Sequence, residues 1–314
     1  MDKNSLILKY FQKDSLLKVT NETYSSSISD LFRWLVNNDE AKKDITSKSL
    51  HLDTFTRTKI IAIKNTVMAG LEEISYLLKI SSGLSFEPLT KDGDEVKAGQ
   101  TVARLSGIGS EILGLERTVL NILQRMSGIA TSTHEYVMLV KPGNPYVAAT
   151  RKTPYMSLDK KAVILGGGIT HRLSLRDGIL VKDNHINILR NKFRLDKKDC
   201  MTGVVQEICG SVVKMLIEIE TENEEEVFQT IEAFQKYNKN NYLSIMFDNF
   251  LPERVEKVLR EVRKRYPDNL TIFEGSGGVN KDNLKKWEKS RVDIVSVGAL
   301  THSFEAANLS LEVE

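Results

Sequence analysis

The sequence is poor in several features that would point elsewhere. Its 314 residues hold two cysteines, Cys200 and Cys209, at a spacing that matches neither a zinc site nor a redox pair. They read as reduced thiols of a cytoplasmic protein. No charge sign dominates: 44 Lys and Arg face 42 Asp and Glu, so the surface as a whole gives no case for nucleic acid or a membrane. No run approaches the ~20 apolar residues of a membrane span. The amino terminus, MDKNSLILKYFQKD, carries charge inside its apolar stretch, unlike a secretory signal. Neither G-x-G-x-x-G nor a Walker loop stands at a strand–helix junction. The five histidines show no metal-ligand spacing, and no Ser-His-Asp or Cys-His arrangement stands out. A soluble protein is expected, in which any selectivity for anions must be local.

That local feature lies in residues 149–186, where Arg151, Lys152, His171, Arg172 and Lys182 interleave with Gly166, Gly167 and Gly168. Two apolar runs, Tyr146–Ala149 and Ile179–Val181, are continuous rather than alternating, as in strands of a buried parallel sheet. Each ends on cations. A solvated basic surface is the plain explanation, but two strand ends of the same sign favour an anion site, because α/β barrels place active sites at strand carboxyl ends.

The rest of the chain supplies the frame. Residues 1–48 read as helices and turns, with helical spacing over 30–36. A small α+β unit follows over 55–103, with a strand at 59–63, a helix at 71–78 and a turn-rich segment at 91–100. That last segment resembles the hairpin of biotinyl and lipoyl carriers but lacks a modifiable lysine tip, so it reads as a turn. A long helix over 110–140 sets Arg117 on one face with Leu113 and Leu120. An arginine buried there needs a partner, and Glu116 or Glu111 can supply an ion pair. Strands at 212–219, 242–247, 270–273 and 292–297 then alternate with helices at 222–237, 252–266 and 280–288, which implies βα units and a parallel sheet. The expected fold is α/β: an amino-terminal, open sandwich-like α+β domain (1–125), a parallel α/β barrel (126–302), and a tail (303–314) returning to the first domain. A doubly wound open sheet is the alternative.

Alternation along the strand near 218 puts Glu218 and Glu220 on one face, and Asp248 ends the next strand. Inward carboxylates need cations. They can pair with internal lysines and arginines, or they can bind ribose hydroxyls and Mg²⁺, which needs only one or two carboxylates. The glycine runs at 274–279 and 296–300 follow late strands, where backbone N–H groups can meet a phosphate.

Several of these segments resemble one family. They are Asp44-Ile45-Thr46-Ser47, Glu116-Arg117-Thr118 with Leu120-Asn121, Thr150-Arg151-Lys152-Thr153-Pro154, Gly166–His171 with Arg172, Asp177–His185, Glu274–Gly278 and Ser296–Ser303. In order, and over roughly 44–303, they resemble quinolinate phosphoribosyltransferase. Two departures are Lys43 in place of a glycine and a shorter run from Tyr155 to the glycines. The resemblance implies transfer of phosphoribosyl from phosphoribosyl pyrophosphate to quinolinate, with decarboxylation to nicotinate mononucleotide. It also implies that Arg117 crosses a homodimer interface into the neighbouring site, with a higher oligomer left open. Thr150, Arg151, His171 and Arg172 would hold the acid, and Lys152 and Lys182 the acid or pyrophosphate. Glu220 and Asp248 would serve the ribose and the metal. Ser276, Gly277, Gly278, Val297 and Gly298 would bind the 5′-phosphate. A paralogue using another acid, such as nicotinate, is the competing enzyme; a non-catalytic metabolite binder is the alternative of another class.

Overall fold

A computed structural model describes residues 2–194 and 200–314. The chain forms two compact units that interleave along the sequence. The first comprises the segment ending at Lys13, Tyr136–Arg151 and His171–Gly298; the second comprises Asp14–Glu135, Lys152–Thr170 and Ala299–Glu314.

The first unit is built on six parallel strands: Tyr146–Ala149, Ile179–Val181, Leu216–Thr221, Tyr242–Asp248, Ile272–Ser276 and Ile294–Val297. From the second onward each lies beside its successor, and the sixth lies beside the first. This is the cyclic order of an α/β barrel. Among the described residues no ladder joins the first strand to the second. All six residues of Leu216–Thr221 are buried, as expected where both faces of a parallel sheet are covered. That strand starts later than the expected 212, because Lys214 takes a left-handed backbone (φ 59°) and interrupts the extended run. The covering helices have one apolar stripe each. Pro252–Arg265 buries Val255, Val258, Leu259 and Val262 and opens with proline in its first turn, where no backbone donor is lost. Glu224–Tyr237 is capped by Asn223, whose side chain accepts the Glu226 N–H. At the amino terminus, Lys3–Phe11 is capped by Asp2 and buries Leu6, Ile7 and Phe11.

The second unit carries an antiparallel sheet in the order Leu309–Val313, Phe55–Ala62, Thr101–Ile108, Ser85–Pro88. The helix Leu71–Ser81 begins at the Asp92 carboxylate, which accepts from the Leu71 and Glu72 N–H groups at 2.9 and 3.0 Å. Gly109–Met138 is a helix of 30 residues. The turn-rich segment around Gly93 (φ 92°) carries the short strand Glu95–Val96, which pairs with Thr66–Val67. It is a structural turn.

Candidate active site

Every strand of the parallel sheet ends on, or within one residue of, a residue singled out from the sequence. Thr150 and Arg151 follow Ala149, and Lys182 follows Val181. Glu220 is the penultimate residue of its strand, and Asp248, Ser276 and Val297 are the last of theirs. Parallel register sets these ends side by side: Asp248 pairs with Ser276, and Val297 with Ala149. The sheet thus converges one basic and one acidic group of residues on its carboxyl-terminal edge.

The acidic residues fall into two tiers, one turn of the strand pleat apart. Glu220 pairs with Lys182, Oε2 to Nζ, at 2.8 Å. Asp248 lies against it: burial, and then the Glu220 charge, raise its pKa above the ordinary aspartate value, while Lys182 opposes the rise. Asn249 fixes Asp248 with a 2.7 Å hydrogen bond from Nδ2. Deeper in, Glu218 and Glu274 both approach His171 Nε2 at 3.1 Å, and the Ser244 hydroxyl donates to Glu218 at 3.1 Å. All three of His171, Glu218 and Glu274 are buried. Burial alone would lower the imidazole pKa, but Glu274 and then Glu218 outweigh it and push it up to about 9. The Arg172 backbone N–H donates to Nδ1 at 2.8 Å, which opposes a second ring proton; Glu218, raised by burial and by Glu274, is the other holder. Either way the cluster retains a proton that isolated groups would have released.

The basic residues are less satisfied. Burial and the neighbouring Arg151 charge hold the Arg172 pKa below its usual value. Arg172 makes a 3.4 Å contact from Nη1 to Gly178 O, and Arg151 Nε is buried without a hydrogen-bond partner. Two guanidiniums brought together, one with an unsatisfied buried donor, are equipped to receive an anion.

The glycines have distinct reasons. Gly277 has φ 88°, and a Cβ there would come within 2.2 Å of Asn249 Oδ1. Gly278 has φ 63°, and its carbonyl accepts from Asn283 Nδ2 at 2.8 Å. Gly275, before Ser276, faces Trp287: a Cβ would lie 2.4 Å from its ring. The backbone after Ser276 is therefore bare and turned, as a phosphate loop requires.

Arg117 and Lys152 belong to the second unit. The Arg117 side chain is 58% exposed and pairs with Glu116 at 2.7 Å; the surface, not a buried stripe, is its setting, since Leu113 beside it is also exposed. The shortened loop after Lys152 has its own anchor. Asp159, fully buried, accepts from Arg125 Nε and Nη2 at 2.7 and 2.6 Å and from the Thr153 hydroxyl. Arg125 also stacks 4.2 Å from the Tyr155 ring centroid.

Glu274 is the residue the sequence undersold. It stands two before Ser276 as Glu218 stands two before Glu220, and that period-two match was the available signal. His171, expected to help hold the acid, has both ring nitrogens engaged inside the protein. A cavity of about 740 Å³, in the second unit, is lined by Phe32, Arg33, Asp44, Ser47, Lys48 and Glu111 among others; none of the residues expected to hold the acid, ribose, metal or phosphate lines it. Among the described residues no helix is long and apolar enough to cross a membrane.

Comparison with known proteins gives a consistent result. Residues 44–127 match the model of the quinolinate phosphoribosyl transferase amino-terminal domain, and residues 129–312 match that of its carboxyl-terminal domain. The chain is 33% identical over 290 residues to a probable carboxylating nicotinate-nucleotide pyrophosphorylase of Methanothermobacter thermautotrophicus, covering 90% of this chain and 98% of that protein. A counterpart with the same description in Bacillus subtilis is 34% identical over 277 residues, covering 86% and 88%. The solved nicotinate-nucleotide pyrophosphorylase of Francisella tularensis superposes with a TM-score of 0.75 at 29% identity, covering 92% of this chain and 96% of that one.

Proposed function

The chain belongs to the quinolinate phosphoribosyl transferase family, and we propose that it transfers phosphoribosyl from phosphoribosyl pyrophosphate to the ring nitrogen of quinolinate. Pyrophosphate and carbon dioxide leave, and nicotinate mononucleotide remains. The observation that carries this reading is the convergence of Arg151 and Arg172, with Arg151 Nε buried and unsatisfied. A dianion such as quinolinate suits two guanidiniums, each able to grip a carboxylate by two parallel hydrogen bonds. Nicotinate, with one carboxylate, would leave part of that charge unmet.

The remaining roles follow from chemistry and position. Thr150 lines the acid site beside Arg151. His171, whose nitrogens are engaged by Glu218, Glu274 and the Arg172 amide, positions Arg172 from behind. Glu220 and Asp248 face the ribose, where displacement at the anomeric carbon develops positive charge that carboxylates stabilise. Lys182, held by Glu220, and Lys152 face the acid or the departing pyrophosphate. Ser276, Gly277, Gly278, Val297 and Gly298 receive the 5′-phosphate. Glu220 and Asp248 also fit Mg²⁺, because the Glu220 charge beside Asp248 raises the aspartate's proton affinity and a hard cation relieves that repulsion. When bound, Mg²⁺ would supply positive charge to the leaving group. Positioning and charge carry the catalysis, with no covalent intermediate on the protein.

Arg117, exposed at the surface of its unit, we assign to the site of a second copy in a homodimer. We place the enzyme in the cytoplasm. The test is product formation from quinolinate, phosphoribosyl pyrophosphate and Mg²⁺, run beside nicotinate. Nicotinate mononucleotide and carbon dioxide from quinolinate alone are expected. Turnover of nicotinate instead would assign the chain to another acid, and turnover of neither would leave a binding protein.

A further inference from the structure

We propose that the amino-terminal helix Lys3–Phe11, together with Lys13, is a positioning element of the acid-binding site. It acts through Phe11 on His171 and through Lys13 on the loop carrying Arg172. This rests on the function proposed above.

The segment lies upstream of the region matched by the family models, which begins at residue 44. It folds as a capped helix with one apolar face, and its contacts run along the starts of the parallel strands. Lys3 pairs with Asp293 at 3.1 Å, just before the sixth strand, and lies 5.1 Å from the Phe273 ring centroid at the start of the fifth. Tyr10 donates to Lys214 O at 3.3 Å and tilts against Tyr242, the first residue of the fourth strand. The helix thus covers the amino-terminal edge of the sheet, opposite the edge where the cations converge.

Its last turn reaches the site through the core. The Phe11 ring meets the His171 imidazole edge-on, with centroids 4.9 Å apart and planes at 70°, a geometry that restricts where the imidazole can turn. His171 needs such restraint. Its backbone has φ 53°, a left-handed conformation that persists in a non-glycine residue only where neighbours hold it. Glu218 and Glu274 hold Nε2, and Phe11 fixes the ring from another side. Two residues on, Lys13 pairs with Asp177 Oδ1 at 3.4 Å, while Asp177 Oδ2 accepts the Leu173 N–H at 2.8 Å. The segment from His171 to Gly178, with Arg172 in it, is therefore fastened at both ends by residues of the first thirteen.

The test uses the full chain with Phe11→Ala, Phe11→Leu, Phe11→Tyr and Lys13→Met. Phe11 is 2% exposed, so Phe11→Ala also leaves a cavity; Phe11→Leu keeps most of the volume and removes only the ring. The KM for quinolinate should rise about tenfold in Phe11→Leu and about threefold in Lys13→Met. The KM for phosphoribosyl pyrophosphate should stay within about twofold, and Phe11→Tyr should restore the wild-type value. Independently of turnover, the His171 ring signals in ¹H–¹³C spectra, identified by their loss in His171→Asn, should move in Phe11→Leu as the ring current disappears. Folded Phe11→Leu and Lys13→Met proteins with wild-type KM for quinolinate would overturn the proposal. If the wild-type protein turns over no quinolinate, the proposed function fails on its own; an unmoved His171 signal would then overturn the helix–His171 coupling separately.

Discussion

His171 and Glu274 come from segments 103 residues apart and meet at 3.1 Å, where both side chains are buried. The contact ties protonation to folding. The imidazole pKa of about 9 stands above its unfolded value near 6.5. The stability it contributes is therefore complete below pH ~6.5 and is lost as pH rises through about 9. The amount is on the order of 3 kcal/mol. Thermal midpoints should fall between pH 7 and pH 9.5, and Glu274→Gln should flatten that fall. A wild-type midpoint that does not change over this range would rule out a proton stored in the cluster.

Lys182, proposed above as a site residue, has little structural duty. Its side chain is 45% exposed and it pairs with Glu220, so Lys182→Ala should change stability by less than about 1 kcal/mol. Turnover should nevertheless drop by roughly 100-fold or more. Parallel kcat and melting measurements separate the two, and near-normal turnover would remove Lys182 from the chemistry.

The proposed homodimer makes a complementation prediction. Arg117→Ala and Lys182→Ala proteins should each be inactive, and mixing them under exchange should restore activity, since one of the two sites in a heterodimer is intact. Random reassortment gives roughly a quarter of wild-type activity. Mass spectrometry would report subunit exchange; exchange without recovery would mean that Arg117 does not serve a neighbour's site.

Asp159 should be a structural linchpin of the shortened loop. Its carboxylate takes both Arg125 donors and the Thr153 hydroxyl inside the second unit. Asp159→Ala should cost about 3 kcal/mol, because a buried partner is left uncompensated. Urea denaturation would read this directly. An unchanged midpoint would show that the loop is held by other means.

Much of the frame was legible because it is periodic. Continuous apolar runs marked Tyr146–Ala149 and Ile179–Val181 as buried parallel strands, and the alternation of strands and helices after 212 set the sheet type. The cations and carboxylates at strand ends were legible for the same reason: a parallel strand delivers its last residues to one edge. Three things were not. A strand start depends on one left-handed residue, Lys214, which no pattern announces. The exposure of Arg117 depends on what covers Leu113, and helical spacing states only that they share a face. The engagement of His171 by Glu274 joins distant segments, and the sequence offers for it only the period-two echo between Glu274-x-Ser276 and Glu218-x-Glu220.

Among the described residues no ladder joins the first and second parallel strands, and this bears on how the chain can vary. Every other neighbouring pair is locked in register, so inserting or deleting a residue within one of those strands would slide hydrogen bonds along the sheet. Residues 150–178 join the two strands that have no register between them. Their number can change without displacing a single rung. The shortened run after Pro154 lies within that connection, so the residues lost there shift no hydrogen-bonded pair of the parallel sheet.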